Sequence, residues 1–224
     1  MIKDKYKRIP KHIGIIPDGN RRWARLNNYS KHEGYNYGVT AGCELYEQMI
    51  ELGIEEATFY GFTKNNTKRS KIQINAFVKS CIDAVEKLAH KDANLLVIGN
   101  TNSTVFPEEL LKYVGKRVQF GKGLININFL VNYDWEWDLN QAFQNKTKGD
   151  NSNNNFLQNI ASADISRMEM VIRWGGRRRL SGFLPIQSVY SDIYVIEDYW
   201  PDFKREHLLE AIEWYQTTDV TLGG

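Results

Sequence analysis

The sequence predicts an α/β fold, a mainly parallel six-stranded sheet flanked by helices, and three observations predict it. Short apolar runs rich in Ile, Val and Phe recur along the 224 residues, segments with helical spacing separate them, and three of the runs end directly in clusters of Arg, Asn, Thr and Asp. Apolar runs without strict alternation suit strands buried on both faces, and helical connections between them suit parallel crossovers. Ligands of such sheets bind beyond the carboxyl ends of the strands, so topology alone places the three polar clusters on one edge.

HIGIIP (His12 to Pro17) reads as the first buried strand, and it runs straight into Asp18, Gly19, Asn20, Arg21, Arg22 and Trp23. From Gly34 to Leu52, Val39, Cys43, Tyr46 and Ile50 recur with helical spacing, and Gly53 stops the helix. EATFYGF (Glu56 to Phe62) is the second strand, followed by Thr63, Lys64, Asn65, Asn66, Thr67, Lys68 and Arg69. A helix over about Ile72 to Lys91 puts Phe77, Cys81, Ala84, Val85 and Leu88 on one face, and ANLLVIG (Ala93 to Gly99) is the third strand. Pro107, Glu108 and Glu109 mark a helix start. LININFLVN (Leu124 to Asn132) is the fourth strand, and the Trp-rich stretch after Tyr133 opens another helix. MEMVIRW (Met168 to Trp174) is the fifth strand, SDIYVIE (Ser191 to Glu197) the sixth. A closing helix from Asp202 onward buries Leu208, Leu209, Ile212 and Trp214.

With 42% hydrophobic residues the chain supports one sizeable core, so residues 1–224 are read as a single domain with a basic tail at 1–11 and a flexible loop at 145–155. A net charge of +2 excludes a global field for nucleic acid or an anionic bilayer, although nine basic and two acidic residues crowd the first 31 positions. Cys43 and Cys81 lack metal-ligand spacing and make no disulfide framework, and His12, His32, His90 and His207 read as structural or surface residues. No charged-then-apolar leader opens the sequence and no apolar run is long enough to span a bilayer, so a cytoplasmic protein is expected.

Arg173, Arg177, Arg178 and Arg179 surround Gly175 and Gly176, which puts guanidinium forks and approachable backbone amides together, as phosphate oxygens require. With Asp18, Asp192, Asn20, Thr63, Asn66 and Ser181, the inventory suits two polyanions and one Mg²⁺, an ion that takes one or two carboxylates plus substrate phosphates. Trp23, Phe62, Phe183, Ile186, Tyr190 and the face of the Ile72 to Lys91 helix are the candidates for an apolar tunnel beside it.

HIGIIPDGNRRWAR resembles the signature region of the cis-prenyltransferases, the undecaprenyl diphosphate synthase family, of the form HxxxxxDGNxRWA. The stretch from Ile172 to Phe203, with its paired glycines, RLS, FL and WPDF, is similar to that family's carboxyl-terminal signature, so the likeness runs from His12 to Phe203. It implies a butterfly-like α/β fold, usually dimeric, that joins an allylic prenyl diphosphate to isopentenyl diphosphate. Asp18 is implied as the catalytic carboxylate that carries Mg²⁺, and Gly19, Asn20, Arg21 and Arg22 as the loop that holds the allylic diphosphate. Asn66 and Arg69 fall where the family has its catalytic asparagine and arginine. Arg173, Arg179 and Ser181 match the grip on the incoming C5 diphosphate. Asp192 stands in the place of a glutamate that joins the metal shell from the neighbouring subunit. Trp23, Lys31, Tyr35, Phe62, Thr63 and Arg177 complete the expected substrate-binding set.

The departures carry their own expectations. Arg177 replaces the glutamate usual after the paired glycines, Thr67 a tryptophan, Tyr35 a histidine, and Asp134 and Trp135 a glycine pair. One unit charge at about 4 Å is worth roughly 4 kcal/mol at an effective dielectric of about 20, so a glutamate-to-arginine change beside a diphosphate shifts work from metal to guanidinium. These changes resemble an atypical branch in which dimethylallyl diphosphate replaces isopentenyl diphosphate in an irregular, head-to-middle condensation. The alternatives are regular elongation to a long Z-polyprenyl carrier, whose insoluble product brings peripheral membrane contact, and service as one subunit of a heteromer through the tail DVTLGG. Nucleic acid is not expected as a partner, for want of a binding module.

Overall fold

The computed structural model describes residues 5–146 and 156–219. Most of the expected flexible loop at 145–155, the first four residues of the basic tail and the DVTLGG end from residue 220 onward lie outside them. Along the chain run β1 (His12–Ile16), α1 (Asn20–Leu26), α2 (Gly34–Leu52), β2 (Glu56–Thr63), α3 (Lys71–Leu88), β3 (Ala93–Ile98), β4 (Val118–Gln119), β5 (Ile125–Tyr133), α4 (Trp135–Lys146), β6 (Met170–Arg173), β7 (Asp192–Val195) and α5 (Arg205–Tyr215). Short 3-10 turns occupy Lys64–Lys68, Glu108–Tyr113 and Trp200–Asp202, among others.

The strands form one sheet in the order β4-β3-β5-β2-β1-β6-β7, and every neighbouring pair is parallel except β3 with β4. The sheet therefore has seven strands where the sequence predicts six. The extra one is a two-residue edge piece, Val118–Gln119, paired to Leu95 and Asn94, too short to leave a hydrophobic pattern. β1 lies where the strand order reverses, with β2 on one side and β6 on the other.

Each face of the sheet has its own core. On one, Leu45 and Met49 of α2, Val85 of α3 and Leu208 and Ile212 of α5 are fully buried against Ile13, Ile15 and Ile172. A fully buried Leu or Ile contributes about 1.5–3 kcal/mol, so these side chains hold the helices on the sheet. On the other face, Tyr60, Leu130 and Tyr133 pack on Phe183 and Leu184. The spacing in α5 is i, i+4: Leu208 and Ile212 are buried as expected, while Leu209 and Trp214 are only partly so. Part of the basic tail is anchored, because the Arg8 guanidinium lies 4.0 Å from the Tyr215 ring centroid and donates to the Tyr215 and Thr218 carbonyls.

One irregularity in β2 shapes the site. Tyr60 pairs with Leu130 and Phe62 with Val131, so Gly61 is an extra residue, a bulge. Strict alternation would put Tyr60 and Phe62 on the same face. The bulge sends Tyr60 to the Phe183 core and Phe62 to the α2–α3 core.

Candidate active site: a guanidinium-lined cavity at the carboxyl edge

β2, β1 and β6 are adjacent, so the polar residues that follow each of them meet at one edge. The backbone fixes the loop after β1. The Trp174 N–H donates to the Ile16 carbonyl (3.2 Å), the Trp200 N–H to the Asp18 carbonyl (3.0 Å), and the Gly175 N–H to the Asp198 carbonyl (2.8 Å). Gly19 has φ 105°, and a Cβ there would sit 2.5 Å from the Tyr199 ring. Gly175 has φ 83°, and a Cβ there would meet Arg22 Nη2 at 2.5 Å. Both glycines let a chain segment pass where any side chain collides.

Asp18 sits between two arginines. Arg173, only 4% exposed, donates from Nη2 to Asp18 Oδ2 (2.8 Å), and Arg22 Nη2 lies 3.3 Å from Asp18 Oδ1. Arg173 Nη1 also donates to Ser181 Oγ (3.0 Å) and to the Arg179 carbonyl. Arg173 Nε, Arg21 Nε and Asn20 Oδ1 are buried with no partner among the described residues. The Thr63 N–H donates to Asn66 Oδ1 (3.0 Å), which spends the amide oxygen on the backbone and leaves the Asn66 NH₂ as a donor toward the cavity. Arg69 donates to the Tyr35 hydroxyl (2.8 Å). Burial lowers the Arg69 pKa from its ordinary value and raises that of Tyr35, yet a guanidinium stays a cation in either setting.

The cavity holds about 600 Å³. Among the described residues seven cations line it (Arg21, Arg22, Arg25, Lys31, Arg69, Arg173 and Arg179) and one carboxylate, Asp18, a formal charge of +6. Such a concave, one-signed surface concentrates polyanions. The structure thus brings together Asp18, Gly19, Asn20, Arg21, Arg22, Lys31, Tyr35, Thr63, Asn66, Arg69, Arg173, Arg179 and Ser181.

Four expected residues stand apart. Trp23 is a strut: its Nε1 donates to Asp202 Oδ1 (2.6 Å), tying the first signature to the second, and its ring stacks on Tyr29. Phe62 is fully buried, turned by the bulge onto the edge of Phe77. Arg177 is exposed and lies outside the cavity wall, so the charge effect expected of it next to a diphosphate is not set up within this chain. Asp192 begins β7 and pairs with Met170, while Asp18 follows Ile16, which pairs with Arg173. Three residues at about 3.3 Å along the strands and two spacings of about 4.8 Å across them separate Asp192 from Ile16, and Asp18 lies two residues beyond Ile16 in the opposite direction. The two carboxylates cannot share an ion within one chain.

Sequence reasoning missed Arg25, Tyr60 and Asn65, which also line the cavity. Arg25 was legible as the next turn of α1 after Arg21 and Arg22. Tyr60, whose hydroxyl donates to the Ser181 carbonyl (2.9 Å), reads from sequence as an ordinary strand residue.

Among the described residues no three His, Cys, Asp or Glu side chains cluster as a metal cage. A single carboxylate at the wall of a phosphate-binding cavity nevertheless fits Mg²⁺, which is held by one or two carboxylates with substrate phosphates and water completing the octahedron.

A second, apolar cavity of about 80 Å³ runs between α2 and α3 above β2 and shares Pro17, Asn20, Tyr35, Gly61 and Phe77 with the first. Its walls include Val39, Cys43, Phe59, Cys81, Ala84, Leu88 and Trp200. The face of the Ile72 to Lys91 helix is therefore the expected apolar lining. Trp23, Phe62, Phe183, Ile186 and Tyr190 are not among its walls. Phe183 is buried across the sheet, and Tyr190 is 50% exposed.

A guanidinium-walled cavity that shares five wall residues with an apolar channel defines a protein for molecules with a polyanionic head and a hydrocarbon tail. The chain belongs to the undecaprenyl diphosphate synthase family, the cis-prenyltransferases, whose family model matches residues 16–223. It is 31% identical to an isoprenyl transferase of Chlorobaculum tepidum, over 96% of this chain and 86% of that one. It is 30% identical to a (2E,6E)-farnesyl-diphosphate-specific ditrans,polycis-undecaprenyl-diphosphate synthase of Haemophilus influenzae, over 100% and 99% of the two chains. The crystal structure of lavandulyl diphosphate synthase from Lavandula x intermedia, in complex with dimethylallyl diphosphate, superposes with a TM-score of 0.82 over 96% of this chain and 98% of that one. At 23% identity that likeness shows the fold.

Proposed function

We propose that this chain joins an allylic prenyl diphosphate to a five-carbon isoprenoid diphosphate and releases inorganic diphosphate. One observation carries the reading: of the cations lining the head-group cavity, Arg69 adjoins the mouth of the apolar channel, while Arg173, Arg179 and Ser181 are not among the channel's walls. Arg69 donates to Tyr35, which with Asn20 lines both spaces, and Arg21 follows Asn20 in α1. That group suits the donor, whose tail needs the channel. Arg173, Arg179 and Ser181 lie across Asp18 and suit the short acceptor.

The chemistry asks the C1–O bond of the donor to break with its electron pair leaving on diphosphate, while the π pair of the acceptor forms the new C–C bond. Arg21, Arg22 and Arg69 stabilise the charge that develops on the leaving group, and they are held in place before it appears. Arg173 positions the acceptor diphosphate through a guanidinium locked by Asp18 and Ser181. The apolar walls keep water from the allylic cation. A diphosphate oxygen takes the proton lost from the product. Mg²⁺, when bound, supplies positive charge to the departing diphosphate; Asp18 would hold it, with Asp192 of a second copy of the chain completing the shell in a homodimer.

Isopentenyl diphosphate is the acceptor on this reading, in a regular condensation. Dimethylallyl diphosphate as acceptor is the second reading, motivated by Thr67, Tyr35 and Arg177 at positions where the family carries other residues. Incubating purified protein and Mg²⁺ with donors of five to twenty carbons and each acceptor, then identifying products by mass and NMR, tests both. Head-to-tail products appear with isopentenyl diphosphate and vanish in Asp18→Ala. Branched products from dimethylallyl diphosphate alone establish the irregular reaction, and no product from any pair overturns prenyl transfer.

A further inference from the structure

The acceptor side of the cavity depends on a turn whose backbone has to be held. Ser181 has φ 57°, Gly182 φ 80° and Leu184 φ 34°, so two residues with side chains occupy the left-handed region that only glycine adopts freely. Ser181 nevertheless carries the Oγ that accepts from Arg173 Nη1 (3.0 Å), and the same Nη1 donates to the Arg179 carbonyl just before it. A turn left to itself would relax and take that oxygen away. Two side chains brace it. From within the sheet, the hydroxyl of the buried Tyr60 donates to the Ser181 carbonyl (2.9 Å), while its ring stands 5.0 Å from that of Phe183 and 6.3 Å from that of Tyr133. From outside, the Trp135 indole lies over Gly182, so close that a Cβ built there would stand 2.7 Å from its Cδ1. Burial, and then Asp134, raise the Tyr60 pKa from its ordinary value while Arg173 opposes them, so the phenol keeps its proton and stays a donor.

We propose that Tyr60 is a positioning residue of the acceptor site: by holding the Ser181 carbonyl it keeps the strained turn closed and the Ser181 Oγ on Arg173, so that the short diphosphate meets a guanidinium already aimed at it. The proposal rests on the prenyl-transfer reading and deepens it by assigning a residue that acts on one of the two substrates alone. Tyr60 need not touch that substrate. Its effect passes through two hydrogen bonds, Tyr60 to Ser181 and Arg173 to Ser181, while the other arm of the guanidinium is fixed separately by Asp18 Oδ2 (2.8 Å). The donor side is held by other bonds, with Arg69 on the Tyr35 hydroxyl and the Thr63 N–H on the Asn66 amide oxygen. Losing the phenolic oxygen therefore frees Ser181 while Arg173 stays on Asp18 and the donor's cations stay in place.

The test is titration calorimetry in Mg²⁺, in two steps. An unreactive geranyl or farnesyl thiolodiphosphate first fills the donor site, and a five-carbon acceptor, isopentenyl or dimethylallyl diphosphate, is then titrated into the saturated protein, so that each site is read by itself. Tyr60→Phe keeps the ring and removes one oxygen. It should weaken the acceptor about 3- to 10-fold, the range of one hydrogen bond, and leave the donor analogue within about twofold. Ser181→Ala should weaken the same ligand, and the double variant should bind it no worse than Ser181→Ala alone, because the oxygen that Tyr60 places is already gone. Trp135→Ala loosens the turn from its half-exposed outer side and should show the same selective loss; it stands in for Tyr60→Phe should that variant melt below the assay temperature. Unchanged acceptor affinity in both Tyr60→Phe and Trp135→Ala overturns the positioning role. So do equal losses at both sites, the mark of general loosening, losses that add in the double variant, or a native chain that takes up neither acceptor once the analogue is bound. Native protein that binds neither the analogue nor an acceptor would instead remove the prenyl-transfer reading, and the positioning role with it.

Discussion

Replacing Asp18 with Ala should separate what its carboxylate does for the protein from what it does for the ligand. Among the described residues Asp18 is the only acid on the cavity wall, and it accepts from Arg173, a guanidinium with 4% exposure. A hydrogen bond to a charged group is worth about 1.5–3 kcal/mol. The Asp18 side chain is 32% exposed, so water takes over part of that contact and a loss of about 1–2 kcal/mol is expected. For a domain of this size that lowers Tm by about 2–8 °C. Binding of inorganic diphosphate without metal should move the other way. The variant removes a negative charge from beside the anion, and about 4 kcal/mol is the scale for adjacent unit charges at an effective dielectric of about 20. In an open, salt-screened cavity about a quarter of that survives, which is roughly fivefold tighter binding. Titration calorimetry in EDTA at low salt reads this directly, and adding Mg²⁺ should reverse the order, with the native chain now tighter. Metal-free affinity that drops tenfold in Asp18→Ala would refute the reasoning, because the carboxylate would then be needed to hold the arginines in their binding pose.

Three further outcomes follow from the same coordinates. Gly175→Ala places a methyl at φ 83° and 2.5 Å from Arg22 Nη2, so it should cost about 1–2 kcal/mol and weaken diphosphate binding; an unchanged melting curve and affinity would contradict the close approach. His12 is buried with Nε2 against Thr58 Oγ1 (2.8 Å), and burial holds its pKa below the ordinary 6.5. The unfolded chain therefore takes up a proton first as pH falls, so the stability from neutral His12 is full above about 6.5 and is lost below it, and His12→Gln should flatten this slope in thermal melts. Burial pushes the Cys81 thiol up to about 12 and also raises that of the half-buried Cys43, so an aromatic disulfide reagent at pH 8 should label Cys81 only after denaturant is added; rapid labelling of both would mean the channel is open to solvent.

Much of the site was legible because it is written in consecutive residues. The clusters after Pro17, after Phe62 and around Arg173 each follow a strand, and parallel topology carries them to one edge whatever the register. Asp192 was not legible in the same way: its place at the opposite end of the sheet depends on its pairing with Met170, which no local pattern encodes. Tyr35, Val39 and Cys43 repeat every fourth residue on α2, but that spacing is the same for a helix face that packs solidly as for one that leaves a channel. Phe62 stood among the tunnel candidates as an aromatic beside the polar clusters, but a bulge at Gly61 that no local pattern encodes sets its face, and it backs Phe77 without lining the channel. The strand at Val118–Gln119 forms because the chain returns past Asn94 and Leu95, a tertiary fact with no apolar run behind it.

The bulge at Gly61 has an evolutionary side. Deleting that one residue would leave the strand's length and the site's polar loop nearly intact, yet it would exchange inside for inside: Phe62 would swing toward Phe183, and the ring that backs Phe77 would be gone. A single-codon deletion in this strand is thus a route by which a lineage can rebuild its hydrocarbon site without substituting any charged residue of the head-group cavity.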